Sequence, residues 1–187
     1  MKGTAGKTRT VDRGEPPSLT LRTDVVQGDR IAVRDIVAST GLFRPEEIGI
    51  AVELVEERLR VGPASGYHFI FAEQEGSVLG YSCYGPVPLT LHSYDLYWIA
   101  VRKERHGAGI GKVLLERSEA AIAGLGGRRV YIETSSKASY RDTRRFYERH
   151  GYRAEATIRE FYSPGDDKVI YVKALGKDDA EGEKARR

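Results

Sequence analysis

The chain has 187 residues, 40% hydrophobic and 30% charged, which suits one globular domain of ordinary size with a real core. Its net charge of +3 is small and partly confined to Lys2, Lys7, Arg9 and Arg13 near the start, so no basic stripe points to nucleic acid. One cysteine, Cys83, excludes an intrachain disulfide and a cysteine-built metal site; no apolar run reaches the ~18 residues of a membrane helix or forms a signal peptide. No metal and no membrane are therefore expected, and the cytoplasm is the expected location.

Residues 1–17 are polar and end in Pro16-Pro17, which predicts a disordered arm; the segment 176–187 reads as a charged tail. The domain between them, 18–175, starts with alternation over Leu19–Val26, a strand. Asp29–Ser39 follows a helical period and stops at Gly41. Pro45 opens a second helix with Ile48, Val52, Val55 and Leu59 on one stripe, ended by Gly62-Pro63. Tyr67–Ala72 and Val78–Tyr84 predict a hairpin turning at Glu75-Gly76. Pro86 and Pro88 then break the chain before Asp95–Val101, apolar on both faces and so expected to be central. Cys83 reads as a small buried hydrophobe within its strand.

A helix is expected over Lys112–Leu125 and a strand over Arg129–Thr134. Tyr140–His150 reads as a short helix closed by Gly151, and two last strands, Ala154–Tyr162 and Lys168–Leu175, flank the turn Ser163-Pro164-Gly165-Asp166. The order is that of a mixed α/β layer structure.

Between the central strand and the helix at Lys112 lies His106-Gly107-Ala108-Gly109-Ile110-Gly111. Glycines let a ligand approach the backbone closely, and helix-start amides carry the positive end of the macrodipole. An anion is the natural guest. A Walker A loop is excluded, because it needs glycine where His106 stands and Ser or Thr where Val113 stands. The dinucleotide fingerprint fails at Lys112, the place of its third glycine.

Trp98-Ile99-Ala100-Val101, then His106-x-x-Gly109-x-Gly111 and Val113-Leu114-Leu115, resembles the GNAT acetyltransferase superfamily. Thr143-Arg144-Arg145-Phe146-Tyr147-Glu148-Arg149-His150-Gly151-Tyr152 is similar to that family's late helix and strand. The resemblance implies a mixed, mostly antiparallel sheet of about seven strands with about four helices. It implies an N-acetyltransferase that uses acetyl-coenzyme A. Three departures stand out: His106 replaces the usual Gln or Arg, Tyr140 an asparagine, and Thr143 an alanine.

The resemblance further implies that main-chain groups of Ile99, Ala100 and Val101 receive the pantetheine arm. Amides of His106, Gly107, Ala108, Gly109, Ile110, Gly111 and Lys112 would hold the pyrophosphate, with the backbone of His106 mattering and not its ring. Tyr147 matches the family's tyrosine that protonates the leaving thiolate; as a plain packing residue it would share a stripe with Tyr140 and Thr143. Acetylation needs a neutral amine, hence a base. Asp95 is the first candidate, placed by alternation on one face with Tyr97 and Ile99, with a strand-end aspartate equally open. Glu133 is second, with an ion pair as its ordinary reading, and nothing puts His68 or His92 at the site. The acceptor amine, small molecule or protein, is expected to be shaped by Gly41-Leu42-Phe43-Arg44 and the loop 85–94. A non-catalytic acyl-coenzyme A sensor and a plain structural α/β domain are the alternative functional readings, and a homodimer is the assembly left open.

Overall fold

A computed structural model describes residues 18–176. The arm predicted over 1–17 and the tail predicted beyond Gly176 lie outside the described residues. The elements run β1 (Thr20–Arg22), α1 (Asp29–Thr40), α2 (Pro45–Val61), β2 (His68–Gln74), β3 (Ser77–Pro86), β4 (Ser93–Val101), α3 (Ile110–Gly124), β5 (Arg129–Ser135), α4 (Arg141–Arg149), β6 (Arg153–Ser163) and β7 (Asp166–Ala174). They form one seven-stranded sheet in the order β1-β2-β3-β4-β5-β7-β6, with β4 at its centre. Only β4–β5 is parallel; every other pair is antiparallel. The mixed, mostly antiparallel sheet with four helices is the architecture the sequence implied.

The helices bury only part of the stripes their periodicity foretold: Ile31 of α1 and Leu125 after α3 are exposed, and Ile48, Val52 and Leu59 of α2 are half-buried. Val33, Ile36 and Val37 of α1 and Ala51 and Val55 of α2 meet Phe69, Phe71, Tyr81 and Cys83 on one face of the sheet. Pro45 stands at the first position of α2, and the Arg44 N–H donates to Glu47 Oε2 at 2.8 Å. On the other face, Ile110, Leu114, Leu115 and Ile122 of α3 join Tyr147 of α4 against Ile70, Leu96, Val130, Ile132 and Tyr171. No helix among the described residues is long and apolar enough to cross a membrane.

The first strand is shorter than its alternating pattern suggests. It pairs with β2 only from Thr20 to Arg22, because Arg22 then donates to Asp29 at 2.8 Å and to Glu73 at 2.7 Å, turning the chain out of the sheet. The Val26 N–H donates to the same Asp29 carboxylate at 2.7 Å, fixing the start of α1. Two polar anchors thus override the propensity of Val25 and Val26.

Candidate active site

The site begins where the central strand loses a neighbour. β4 and β5 pair only through Ser93–Arg129, Tyr94–Val130 and Asp95–Tyr131. From Leu96 to Val101, β4 is bonded on its β3 side alone, so its other edge leaves backbone groups facing a gap. A cleft of about 1620 Å³ fills this gap and is lined by Ile99, Ala100, Val101, the glycine loop and Tyr147. Asp95 lines it too, so the structure brings together the sequence's candidate site residues, apart from Ala108.

The glycine loop takes the conformation its composition permits. Gly107 and Gly109 both sit at φ 82°, and a Cβ on either would meet nothing within 4 Å. Glycine is needed there for the backbone, and the space beside it is free. Helix α3 starts at Ile110, two residues earlier than the sequence suggested, because Gly109 caps it in the left-handed region. The first intrahelical acceptor is Gly109 O, taken by the Val113 N–H at 3.2 Å, so the amides of Ile110, Gly111 and Lys112 point out of the helix without intrahelical partners. Lys112 itself is exposed, 3.8 Å from Glu116.

His106 departs from the sequence reading. Its ring Nε2 lies 2.9 Å from Val101 O, so the side chain, and not only the backbone, ties the loop to the end of β4. The β-to-loop turn Lys103–Arg105 brings the ring back over the strand, a placement no spacing rule reveals.

Tyr147 is 5% exposed and packed among Phe146, Tyr152 and Tyr171, with ring centroids 5.5, 5.9 and 6.0 Å away. Its hydroxyl makes no hydrogen bond among the described residues. Burial pushes that hydroxyl well above the usual phenol range, so at neutral pH it holds its proton. Tyr147 thus packs with Phe146, Tyr152 and Tyr171, not with the Tyr140 and Thr143 of the expected stripe, and it also lines the cleft.

Asp95 lies on a different face from the one alternation gave. Cys83 pairs with Trp98 but Tyr84 with Leu96, so Tyr97 is the extra residue of a β-bulge. The bulge flips the parity: Tyr94, Leu96, Ile99 and Val101 pack on the α3 side, Trp98 and Ala100 on the α1–α2 side. Asp95 therefore shares its face with Trp98, not with Ile99. Burial raises the Asp95 carboxyl above its ordinary range; nearby Glu133 adds to the rise and Lys168 opposes it. The Asp95 carboxylate makes no hydrogen bond or ion pair among the described residues. Glu133 does pair, with the Lys168 Nζ at 2.6 Å, as its ordinary reading held.

Of the two segments predicted to shape the acceptor side, Leu42, Phe43 and Arg44 line the cleft, whereas the loop 85–94 does not. His68 stacks on Tyr84 at 5.3 Å, and His92 bonds Gly126 O at 3.0 Å; neither lines the cleft. Residues that periodicity missed include Trp98, Tyr131, Lys137 and Asp166. Tyr140, the departure from the family asparagine, donates its hydroxyl to Leu42 O at 3.1 Å and so joins the approach to α4 to the α1–α2 connection. Asp166 accepts from Ser135 Oγ and lies 3.1 Å from the Lys137 Nζ, a pair that only the folded hairpin assembles.

A family model described as Acetyltransferase (GNAT) domain matches residues 65–154. A crystal structure of a GNAT-family protein from Desulfovibrio desulfuricans is 46% identical, with a TM-score of 0.84 over 85% of this chain and 100% of that one. An uncharacterized N-acetyltransferase of Methanocaldococcus jannaschii is 33% identical over 110 residues, 56% of this chain. That match spans 65% of the curated relative's length. An aminoglycoside 6'-N-acetyltransferase complexed with coenzyme A shares the fold, at 18% identity and a TM-score of 0.70 over 86% of this chain and 98% of that one. The ribosomal-protein-S18-alanine N-acetyltransferase of Escherichia coli also shares it, at 18% identity and a TM-score of 0.68 over 86% and 96%.

Proposed function

The chain belongs to the GNAT acetyltransferase family, and on that premise we propose that it moves an acetyl group from acetyl-coenzyme A to a primary amine, with Asp95 as base and Tyr147 as acid. One observation carries this reading: the unpaired edge of β4, the free amides at the start of α3 and the buried Tyr147 hydroxyl all border one cleft. The residues fit the co-substrate. Outward amides of Ile110, Gly111 and Lys112, next to a glycine cradle with open space, suit a pyrophosphate. The edge of Ile99–Val101, apart from the Val101 carbonyl that the His106 ring already holds, suits an amide-bearing arm that needs strand-like partners. The coenzyme A complex of the aminoglycoside 6'-N-acetyltransferase, a protein of the same fold, supports this assignment.

When bound, acetyl-coenzyme A supplies a thioester carbonyl, at which a carbon–nitrogen bond forms as the carbon–sulfur bond breaks. The chain's own groups handle the two protons. An ammonium has no lone pair, so Asp95, with its carboxyl raised by burial, takes the nitrogen's proton. Tyr147, held protonated by burial, gives its proton to the departing sulfur. Once bonded to carbon, the nitrogen loses a second proton, which passes through water to the Tyr147 phenolate, while the proton on Asp95 leaves to solvent, so one proton is released per acetyl group transferred.

Calorimetry with coenzyme A and thiol release from acetyl-coenzyme A over a panel of primary amines test the proposal together. Micromolar-range binding and release above background hydrolysis are expected. Binding without release on a broad panel would leave a non-catalytic acyl-coenzyme A module. No binding would remove the site altogether.

A further inference from the structure

The acceptor side of the cleft carries its own chemical signature. The bulge at Tyr97 puts Asp95 and Trp98, three residues apart, on one face of β4, which unbroken alternation would deny them. The Trp98 ring stands 4.9 Å from Phe43, and Phe43 stands 6.3 Å from Tyr140. Tyr67 and Tyr97 form a second edge-to-face pair at 5.6 Å. All five rings line the cleft, together with Asp95.

The charges on that wall nearly cancel. Its carboxylates are Glu47 of α2, Asp95 of β4, Glu133 of β5 and Asp166 of β7. Glu47 is 3.3 Å from Arg44, Asp166 is 3.1 Å from Lys137, and Glu133 is 2.6 Å from Lys168. Among the described residues the Asp95 carboxylate makes no ion pair, with Lys168 acting on it only from a distance; Asp142 of α4, also at the cleft and unpaired, is exposed to solvent, whereas Asp95 is half-buried. One half-buried carboxylate without an ion pair, set among rings, complements one ammonium and offers a second no buried partner. Desolvating further cations without partners is costly, so the same wall selects against polycations.

We propose that the acceptor is a monocationic amine on a flat aromatic body, an arylalkylamine, with its ammonium at Asp95 and its ring against Trp98 and Phe43. The inference rests on the acetyl-transfer reading for the chemistry but not for the binding. Stacked and edge-on rings give such a ligand contact that an aliphatic sugar lacks. This separates the chain from the aminoglycoside acetyltransferases whose fold it shares.

The single tryptophan makes the site its own reporter. Trp98 emission is followed while phenethylamine, spermidine and tobramycin are titrated separately into protein saturated with coenzyme A. Phenethylamine is expected to give a saturable change with an apparent Kd at least tenfold below that of either polycation. Asp95→Asn is expected to weaken the phenethylamine response at least tenfold while coenzyme A binding, followed by calorimetry, stays the same. Tighter binding of spermidine or tobramycin, no saturable response to phenethylamine, or a response untouched by Asp95→Asn overturns the proposal. If phenethylamine binds but releases no thiol from acetyl-coenzyme A, the transfer reading fails and the amine site stands.

Discussion

At Asp95 the proposed role as base and the stability of the fold pull in opposite directions. Its carboxyl is raised by partial burial and by Glu133, so the folded protein holds that proton more tightly than the unfolded chain does. Below the ordinary carboxylate range both states are protonated and the residue costs nothing. As pH rises through the folded-state value, the folded state loses stability relative to the unfolded one. Asp95→Asn is therefore expected to melt higher than the parent at pH 7, with the difference vanishing near pH 3, while acetyl transfer falls by about 10². The same variant should lose the acidic limb of the rate profile, whose midpoint lies above the ordinary carboxylate range. Melting curves and rates at several pH values check both limbs; a lower melting point at pH 7 would mean that Asp95 is a structural partner and not a strained base.

At the scale of elements, most of the helices and strands were legible because their periods are regular. The capping glycines Gly41 and Gly151, both at positive φ, ended helices where the sequence said they would. What was illegible came from events off the pattern. The bulge at Tyr97 has no signature in the run Ser93–Val101, yet it decides which side chains face Asp95. The end of β1 was set by Arg22 reaching Asp29 and Glu73, the latter 51 residues away. The His106 ring on Val101 O depends on a turn of three residues. The glycine loop itself is testable as an element. Gly109 caps α3 at φ 82° in open space, so Gly109→Ala meets no clash but adopts a left-handed backbone at a cost of about 1–2 kcal/mol. Its expected outcome is a melting point lower by several degrees and a coenzyme A Kd at least tenfold higher. A Kd unchanged in that variant would detach the loop from cofactor binding.

Across the whole molecule, the site exists because the sheet changes its pairing at its centre. Three registered pairs hold β4 to β5, after which the strands part and two helical layers, α1–α2 and α3–α4, cover opposite faces. The side of the cleft proposed for the cofactor was readable from the chain, since the glycine loop and Tyr147 lie in short motifs. The acceptor side was not. Its wall is assembled from Phe43, Trp98, Tyr140, Glu133 and Asp166, which are dispersed over more than a hundred residues and meet only through the folded sheet. Closure by the Tyr140 hydroxyl on Leu42 O joins positions 98 apart in sequence. The central claim is that this cleft passes protons between an amine and a thiol, with Tyr147 as the donor. Its most direct test is the rate of thiol release from saturating acetyl-coenzyme A and phenethylamine by the parent chain and by Tyr147→Phe. The hydroxyl has no partner among the described residues, so the variant should fold and bind coenzyme A with an affinity within twofold of the parent. A fall of about 10² in kcat at that unchanged affinity is predicted; equal rates in the two proteins would contradict it.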